Sequence, residues 1–558
     1  MKAITYSYTV IKESINNKNL YSKYNWILPI SAAAFWILNS SLTTAFFISF
    51  ILSITLITFF SFRLSPLIEY IKNTRLTIRI VSLFTAIGVC WCSQEKFYSN
   101  YQLSSKVHYI ESLLPARLDI IRITSIPLSI ISIFFIYISI IYFWNKLFVI
   151  FKRSNLFYKI KLSELTIYTI LLTISIVFMI TVFARTEAFY GTDKRSEIIY
   201  TSDFPRLMEE DVYLYVMHSE NRLHQPLFAV FSAPFIGIPY LISIVFQFGT
   251  SIKAMLENSV QIVMLFISNL MLTRIMGLNK TKRICFMILS TVTHTQLLFI
   301  LMMEQYIVSY FWLIFCLYQI AEHNHPDRIV FWGSSGVMVT SAILLPFMSK
   351  ESPVKNLKSW IEDIFKFGFQ FILLIVAFCR FDVIFNLFTE VDYYNAYSGI
   401  DISFHEKLCQ YLNFIKSFFL PPEHIIINNW SNAISWQLAP IKHIDMLGAF
   451  LLMIAIVSGI WNRDNKSCLY AFGWLLYSVF LLLVIGWGIP ENGLTLYSLY
   501  LGWPLLVLLF KLVEKMEEKM KTRFLVPVFT VLAFFTLIRY NAHGISELIR
   551  FAVNNYPV

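Results

Sequence analysis

The sequence predicts an all-α polytopic membrane protein, and its composition and its apolar runs both indicate this class. Of 558 residues, 57% are hydrophobic and only 14% are charged, whereas about 25% of residues are charged in soluble domains. Apolar runs of about 20 residues, the length needed to cross a bilayer as a helix, recur along the chain. Most segments must therefore face lipid or other apolar helices.

These apolar runs predict roughly 12–15 transmembrane helices. The clearest runs are 42–62, 76–93, 123–144, 164–184, 224–247, 257–276, 284–302, 305–320, 329–348, 367–388, 444–461, 467–488, 492–510 and 524–540. A shorter run at 26–40 pairs with the first of them as a hairpin. We expect a cytoplasmic N-terminal segment over 1–25, without the apolar stretch of a signal peptide. A transmembrane domain follows over 26–510, and 511–558 forms a charged linker, a last helix and a tail.

The formal net charge of +11 indicates membrane orientation rather than nucleic-acid binding, because Lys and Arg collect in cytoplasmic loops. The seven cysteines are scattered, with no CxxC pair and no His/Cys cluster at metal-ligand spacing. Neither a disulfide framework nor a zinc site is predicted.

Basic residues also predict the topology. The connection 144–164 holds five of them and no acid before Glu164, so it is predicted to be cytoplasmic and 185–223 to lie outside. The segment 274–283 is equally basic, which conflicts with two full crossings after 223. The conflict is resolved if 224–247 breaks at Pro234 and Pro239 into a re-entrant pair.

Two further segments stand out. Residues 354–365 space their apolar side chains at helical intervals with lysines opposite, which predicts an interfacial amphipathic helix. Residues 389–442 form the longest polar connection, predicted to be an ordered outer loop that carries Trp430 and Trp436.

The richest cluster of ionisable groups is "TSDFPRLMEEDVYLYVMHSENRLHQPLF", residues 201–228. Most of its charges fit a solvated loop, but Asp203 lies in a corner restricted by Pro205, where a fixed carboxylate could serve as a general base. Glu304 interrupts an apolar run, where an ionisable side chain is costly and usually functional. The alternative is that Glu304 is solvated in a tight turn.

In these segments the chain resembles the GT-C glycosyltransferases, in particular bacterial members predicted to act on surface polysaccharide or lipopolysaccharide. The resemblance rests on the many spans, on "SDFPR" followed by "NRLHQPLF", on Glu304, and on patches such as "FIKSFFLPP" and "LYSLYLGWP". The chain departs from the family pattern at His224-Gln225-Pro226, where His usually stands directly before Pro. It also lacks the paired acidic motif of the oligosaccharyltransferases, which leaves metal dependence open.

The resemblance implies a polyprenyl-phosphate-linked sugar as donor and co-substrate, with a surface glycan or lipid-linked acceptor. It also implies inversion at the anomeric carbon, a bacterial inner membrane location and an active site facing the periplasm. No cofactor is implied with certainty, and a divalent cation stays an option. Asp203 matches the base and Glu304 would position substrate. The expected substrate-binding residues are Arg206 and Arg222, which would contact the phosphate, together with His224, Trp430 and Trp436. Lys194 and Arg195 are the alternatives for the phosphate contact.

Two other classes stay open. A polysaccharide polymerase or ligase also has many spans and a large outer loop, but it would use arginines late in the chain, where 389–442 has none. A non-enzymatic transporter or flippase of lipid-linked glycans would be expected to carry inverted repeats or paired broken helices. His224 has a simpler reading as a helix cap, and each basic residue could merely pair with a nearby acid or lipid headgroup.

Overall fold

The protein was analysed as a computed structural model. The structure describes residues 64–103, 115–154, 156–158, 160–191, 198–200, 202, 207–208, 211–214, 224–350, 353–378, 395, 397–423, 425–430, 433–490 and 492–558. The predicted N-terminal segment and the predicted runs 26–40 and 42–62 lie outside these residues.

The described chain is almost entirely helical. The α-helices are α1 (Leu64–Asn73), α2 (Leu76–Leu103), α3 (Pro115–Arg153), α4 (Leu162–Phe183), α5 (Phe228–Val245), α6 (Thr250–Ile275), α7 (Lys280–Val292), α8 (His294–Leu301), α9 (Gln305–His323), α10 (Arg328–Val337), α11 (Leu357–Phe378), α12 (Phe404–Ser417), α13 (Met446–Trp461), α14 (Lys466–Ser478), α15 (Ser498–Lys519) and α16 (Leu525–Asn555). Short 3₁₀ segments span Val339–Met348 and Gly493–Tyr497, and a π-helical segment spans Val479–Ile485. One antiparallel hairpin joins β1 (Ile425–Trp430) and β2 (Ala433–Leu438).

Within the described residues, six helices are long and apolar enough to cross a membrane. They are α4, α5, α6, the helix Lys466–Ile485, the helix Gly493–Lys519, and α16. A seventh is added if α7 and α8, which meet at a 63° bend, form one span. The prediction of an α-helical polytopic membrane protein is confirmed at this level. The number 12–15 stays a prediction, since two of its runs are not described.

Basic side chains tie several connections together at one end of the bundle, here called the basic end. Arg274 Nε donates to the Leu156 carbonyl at 2.9 Å, and Lys280 Nζ donates to Ser163 Oγ at 2.7 Å. At the same end Lys466 Nζ donates to Asn324 Oδ1 at 3.2 Å. The prediction that 144–164 and 274–283 share one side is therefore confirmed.

The opposite, distal end gathers the segments that follow α4, β2 and α16. Tyr200 N donates to the Trp436 carbonyl at 2.9 Å, and Trp436 N donates to the Ile198 carbonyl at 2.6 Å. Thr186 bridges to Pro557 at the C-terminus of the chain. The two predicted outer segments, 185–223 and 389–442, thus meet through their described parts.

The predicted break of 224–247 into a re-entrant pair is wrong, because α5 is continuous through Pro234 and Pro239. The topological conflict is resolved by where this helix begins. Leu227 N donates to the carbonyl of Gly336, which is the ninth residue of α10, a helix that starts at the basic end. Tyr240 lies under the Lys253 ammonium at the start of α6. Helix α5 therefore runs from the interior of the bundle to the distal end. Membrane helices tolerate proline because neighbouring helices complete the packing and the freed polar groups are satisfied locally.

Close backbone contact holds α5 against α2. A Cβ on Gly88 would lie 2.6 Å from the Gly237 carbonyl oxygen, so neither position has room for a side chain. Small residues of this kind allow helices in membranes to approach closely.

The connection predicted as one polar outer loop is more structured than expected. Helix α12 is buried from Lys407 to Ser417 except at Leu408, and Tyr411 bonds to Ser478 on α14 at 3.0 Å. The hairpin and its flanks lie at the distal end.

The predicted amphipathic segment 354–365 and the first part of the predicted run 367–388 form one helix, α11. Its exposed apolar side chains repeat at helical spacing at Leu357, Ile361, Phe365 and Phe369. Lys358 is exposed on the same helix. The amphipathic pattern is confirmed, and its position at a membrane surface stays a prediction.

Candidate functional site

A polar stripe runs down the distal half of α6. Lys253, Glu257 and Gln261 are four residues apart, so their side chains lie on one face of the helix. Glu257 and Gln261 are fully enclosed, with 2% and 0% of their surface exposed. Ionisable side chains are costly inside a membrane helix and are usually functional there.

Asp211, from the segment that follows α4, meets this stripe. Lys253 Nζ donates to the Asp211 carboxylate, and the same ammonium lies 4.9 Å from the centre of the Tyr240 ring. Glu257 is near enough for its charge to act on Lys253. One lysine thus stands between the carboxyl groups of Asp211 and Glu257.

Tyr213 reaches the same place from the loop side. Its side chain is 1% exposed, and Ser232 Oγ on α5 holds its carbonyl at 2.6 Å. Burial raises the pKa of Tyr213 well above its ordinary value, the charges of Glu304 and Glu257 add to this effect, and an interaction with the Gln261 side chain opposes it. The phenol is therefore neutral at physiological pH and available as a hydrogen-bond donor.

Glu304 lies in the extended connection between α8 and α9. It is the residue that precedes the first turn of α9, and its side chain does not cap that helix. None of its surface is exposed, so the alternative of a solvated turn is wrong. The prediction that Glu304 is an enclosed ionisable group is confirmed, while its role in substrate positioning stays a prediction.

Several buried polar atoms around Glu304 have no hydrogen-bond partner within the described residues. These atoms are the Tyr213 hydroxyl, Glu257 Oε1, Asn258 Oδ1 and both amide atoms of Gln261. The other amide atom of Asn258 donates to the Ile300 carbonyl at 2.9 Å, close in sequence to Glu304. Buried polar groups are normally satisfied, and a cluster of exceptions calls for a water, an ion or a ligand. These atoms include hydrogen-bond donors as well as hydrogen-bond acceptors.

His224 lies deeper in the bundle than these groups. Its carbonyl accepts from Val339 N at 2.8 Å, where α10 gives way to the 3₁₀ segment. Leu227, rather than His224, occupies the N-cap position of α5, and the simpler reading of His224 as a cap stays a prediction. The imidazole is partly exposed, and its role in binding substrate stays a prediction.

Trp436 joins the hairpin to the segment before Asp203. Its indole Nε1 donates to the Tyr200 hydroxyl at 3.2 Å, and its ring centre lies 5.2 Å from that of Phe551. Trp430 ends β1, where its backbone pairs with Ala433. These contacts show that the Trp436 side chain packs against its neighbours. They do not test its predicted role in substrate binding, which stays a prediction.

The remaining predicted site residues lie outside the described part of the chain. They are Asp203, Arg206, Arg222, Lys194 and Arg195. The described residues on either side of Asp203 are enclosed, since Ser202 and Leu207 have no exposed surface.

The sequence alone did not identify Lys253, Glu257, Gln261, Asp211 or Tyr213 as site residues. The first three carry a signal that was available, because polar side chains at four-residue intervals form a stripe on an otherwise apolar helix. No comparable signal marks Asp211 or Tyr213 within a loop rich in charges.

Among the described residues, no group of three or more His, Cys, Asp or Glu side chains is arranged to hold a metal ion. Comparison of the chain with protein-family models, with curated proteins and with solved structures finds no match. Fold and site together define an α-helical membrane protein with an enclosed cluster of acidic, amide and phenol groups toward its distal end.

Proposed function

We propose that the protein is an integral membrane glycosyltransferase of the GT-C type. It moves a sugar from a polyprenyl-phosphate donor to a cell-surface glycan or lipopolysaccharide acceptor, with inversion at the anomeric carbon. The observation that supports this best is the set of buried polar atoms on Tyr213, Glu257, Asn258 and Gln261 that make no hydrogen bond of good geometry within the described residues. Sugar hydroxyls donate and accept at once, which matches a site that offers carboxylate, amide and phenol groups.

The proposed reaction uses the resemblance in 201–228 together with this cluster. Asp203 removes the proton of the acceptor hydroxyl as the oxygen attacks the anomeric carbon. The bond from that carbon to the donor phosphate breaks, and the lipid phosphate leaves with the electron pair. Arg206 and Arg222 stabilise its charge through their planar forks of donors. Glu304 orients a sugar hydroxyl. The reaction takes place in the bacterial inner membrane, at the periplasmic face.

The test is sugar transfer from a polyprenyl-phosphate donor in membranes, measured at matched protein levels. Asp203→Asn keeps the shape of the side chain but cannot accept the proton, and loss of a general base costs about 10²–10⁴-fold. Glu304→Gln should reduce sugar transfer less than Asp203→Asn does, because Glu304 is proposed to position the substrate and not to accept a proton. Asp401→Asn, at an exposed acid of the distal end, serves as the control and should transfer sugar normally.

The opposing interpretation is that Asp203 only caps a turn. Asn would then substitute well, since both residues cap through a side-chain oxygen. A well-expressed Asp203→Asn protein with transfer close to that of the wild type would overturn the proposal.

A second candidate function is favoured by one observation. The bend of 63° between α7 and α8 is the kind of broken helix found in transporters. In that case purified protein in liposomes would move a lipid-linked glycan between leaflets without any sugar transfer. Transfer activity abolished by Asp203→Asn would speak against it.

A further inference from the structure

A separate cavity of about 290 Å³ opens between the end of α12 and the start of α13. The residues that line it are Asn413, Lys416, Glu423, Ile441, His443, Ile444, Asp445, Met446 and Leu447. None of them belongs to the cluster around Glu304.

The polar wall of this cavity is an ion triad. Lys416 is buried, and its Nζ lies 2.9 Å from Asp445 Oδ2 and 3.0 Å from Glu423 Oε1. Burial lowers the pKa of Lys416, but hydrogen bonds to Asp445 and Glu423 more than offset this effect and the pKa is raised. One ammonium thus faces two carboxylates, and the wall carries one excess negative charge when His443 is neutral.

The two carboxylates differ in what they can offer a ligand. Asp445 is held in place, because its other oxygen accepts from Gly448 N at 2.8 Å and caps α13. Glu423 is 72% exposed on the connection to β1. A cation entering the cavity therefore meets one fixed carboxylate and one that can turn toward it.

The cavity opens at the top of an apolar surface. Below Asp445, α13 exposes a single face of side chains at helical spacing. They are Met446 (77% exposed), Phe450 (52%), Met453 (53%), Val457 (48%) and Ile460 (60%). This face runs toward the basic end, where Lys519 lies over the Trp461 ring. In a membrane protein such a face contacts acyl chains.

We propose that this cavity binds the headgroup of a phospholipid that carries a phosphate and a primary amine, with the acyl chains lying along α13. The ammonium is directed to Asp445 and Glu423, which accept its N–H groups in charge-assisted hydrogen bonds. The phosphate lies at the rim, near His443 and the exposed Lys442. This site does not depend on the proposed function.

The lining selects a primary ammonium over a trimethylammonium group. Quaternary ammonium ions are recognised by aromatic faces, and none of the described residues that line this cavity is Phe, Tyr or Trp. A trimethylammonium group also has no N–H to donate. Phosphatidylethanolamine and phosphatidylcholine therefore form a matched pair, identical except for the three methyl groups.

The experiment is native mass spectrometry of the full-length protein in detergent, titrated with phosphatidylethanolamine, phosphatidylcholine or phosphatidylglycerol of identical chains. We expect phosphatidylethanolamine to be retained at concentrations at least about tenfold lower than the other two. Soluble phosphoethanolamine should not displace it at comparable concentrations, because it lacks the chains. Equal retention of the first two lipids, preference for phosphatidylglycerol, or displacement by the soluble headgroup would each overturn the proposal.

Variants locate the binding in this cavity. Glu423→Gln changes an exposed side chain, and Asp445→Asn keeps the cap of α13 because Asn caps as well as Asp. Each should reduce the preference for phosphatidylethanolamine, and the double variant should abolish it. Asp401→Asn, an exposed acid at the same end, should keep it. If the double variant folds and keeps the full preference, the lipid binds elsewhere and the assignment is wrong.

Discussion

Arg283 at the start of α7 forms a two-pronged ion pair with Glu164 at the start of α4. Its Nε and Nη2 donate to the two carboxylate oxygens at 2.7 Å each, and Tyr168 donates a third hydrogen bond at 2.7 Å. Glu164 has no exposed surface. The pair joins two connections that lie more than a hundred residues apart in sequence, and it fixes both at the basic end.

Loss of Arg283 should destabilise the protein strongly. Arg283→Leu leaves the Glu164 carboxylate buried without its cation, and breaking such a pair typically costs about 3–5 kcal/mol. We expect a clear fall in the midpoint of thermal unfolding, measured in detergent by the loss of monodisperse protein. A midpoint within error of the wild type would mean that water reaches Glu164.

The double variant separates the charge from the packing. Glu164→Gln combined with Arg283→Leu removes both charges, so much of the lost stability should return. Glu547→Gln, which breaks the exposed pair of 3.5 Å with His543, serves as a control and should have little effect. A double variant less stable than Arg283→Leu alone would assign the stability to the Glu164 side chain itself.

The topology shows what the sequence could and could not predict. Charge bias correctly placed 144–164 beside 274–283, because both loops carry more lysines and arginines than acids. The course of α5 was predicted wrongly, since Pro234 and Pro239 look like breaks in isolation. The start of α5 inside the bundle depends on Gly336 and on the contact of Gly237 with Gly88, which no local pattern contains.

Cysteine labelling should confirm the two ends. With an impermeant reagent on intact spheroplasts, Asp401→Cys and Lys194→Cys should react, while Lys152→Cys and Arg463→Cys should be protected until the membrane is opened. The described native cysteines are buried, so the signal of the wild type supplies the background. Reaction at Lys152→Cys but not at Asp401→Cys would reverse the orientation and remove Asp203 from the donor side.

Replacing Arg206 or Arg222 should impair use of the donor to a degree that depends on the replacement. Arg206→Ala and Arg222→Ala should impair the use of the polyprenyl-phosphate donor more than Arg→Lys at the same positions. Lysine keeps the charge and loses only the planar fork. The readout is the donor concentration needed for half-maximal transfer. Normal transfer by both alanine variants would place the phosphate elsewhere, with Lys194 and Arg195 as the next candidates.

The candidate site was predictable only in part. Glu304 is identifiable because one acid in a long apolar run is conspicuous. Asp211 and Tyr213 are not, since they become special only when the loop folds onto α6 and α5. Gln261 and Glu257 fall between these cases. Their spacing from Lys253 marks a polar face, but a polar face alone does not tell whether neighbouring helices or a ligand satisfy it.

Gln261 provides the sharpest test of the cluster. Neither of its amide atoms makes a hydrogen bond of good geometry within the described residues, although the Tyr213 hydroxyl is close enough to interact with the amide. Gln261→Leu therefore removes at most one weak contact and should change stability little. If the amide binds a sugar hydroxyl, transfer should nevertheless fall by about tenfold or more, because a polar contact made only with substrate is lost. Gln296→Leu is the matched control, since Gln296 accepts from Asn269 at 3.1 Å. That change should lower stability because it leaves the buried amide nitrogen of Asn269 without its acceptor, while Asn269 Oδ1 still accepts from Tyr310. A stable Gln261→Leu protein with full transfer would exclude the Gln261 amide from sugar binding, and a destabilised one would show that this amide already has a partner within the protein, such as Tyr213.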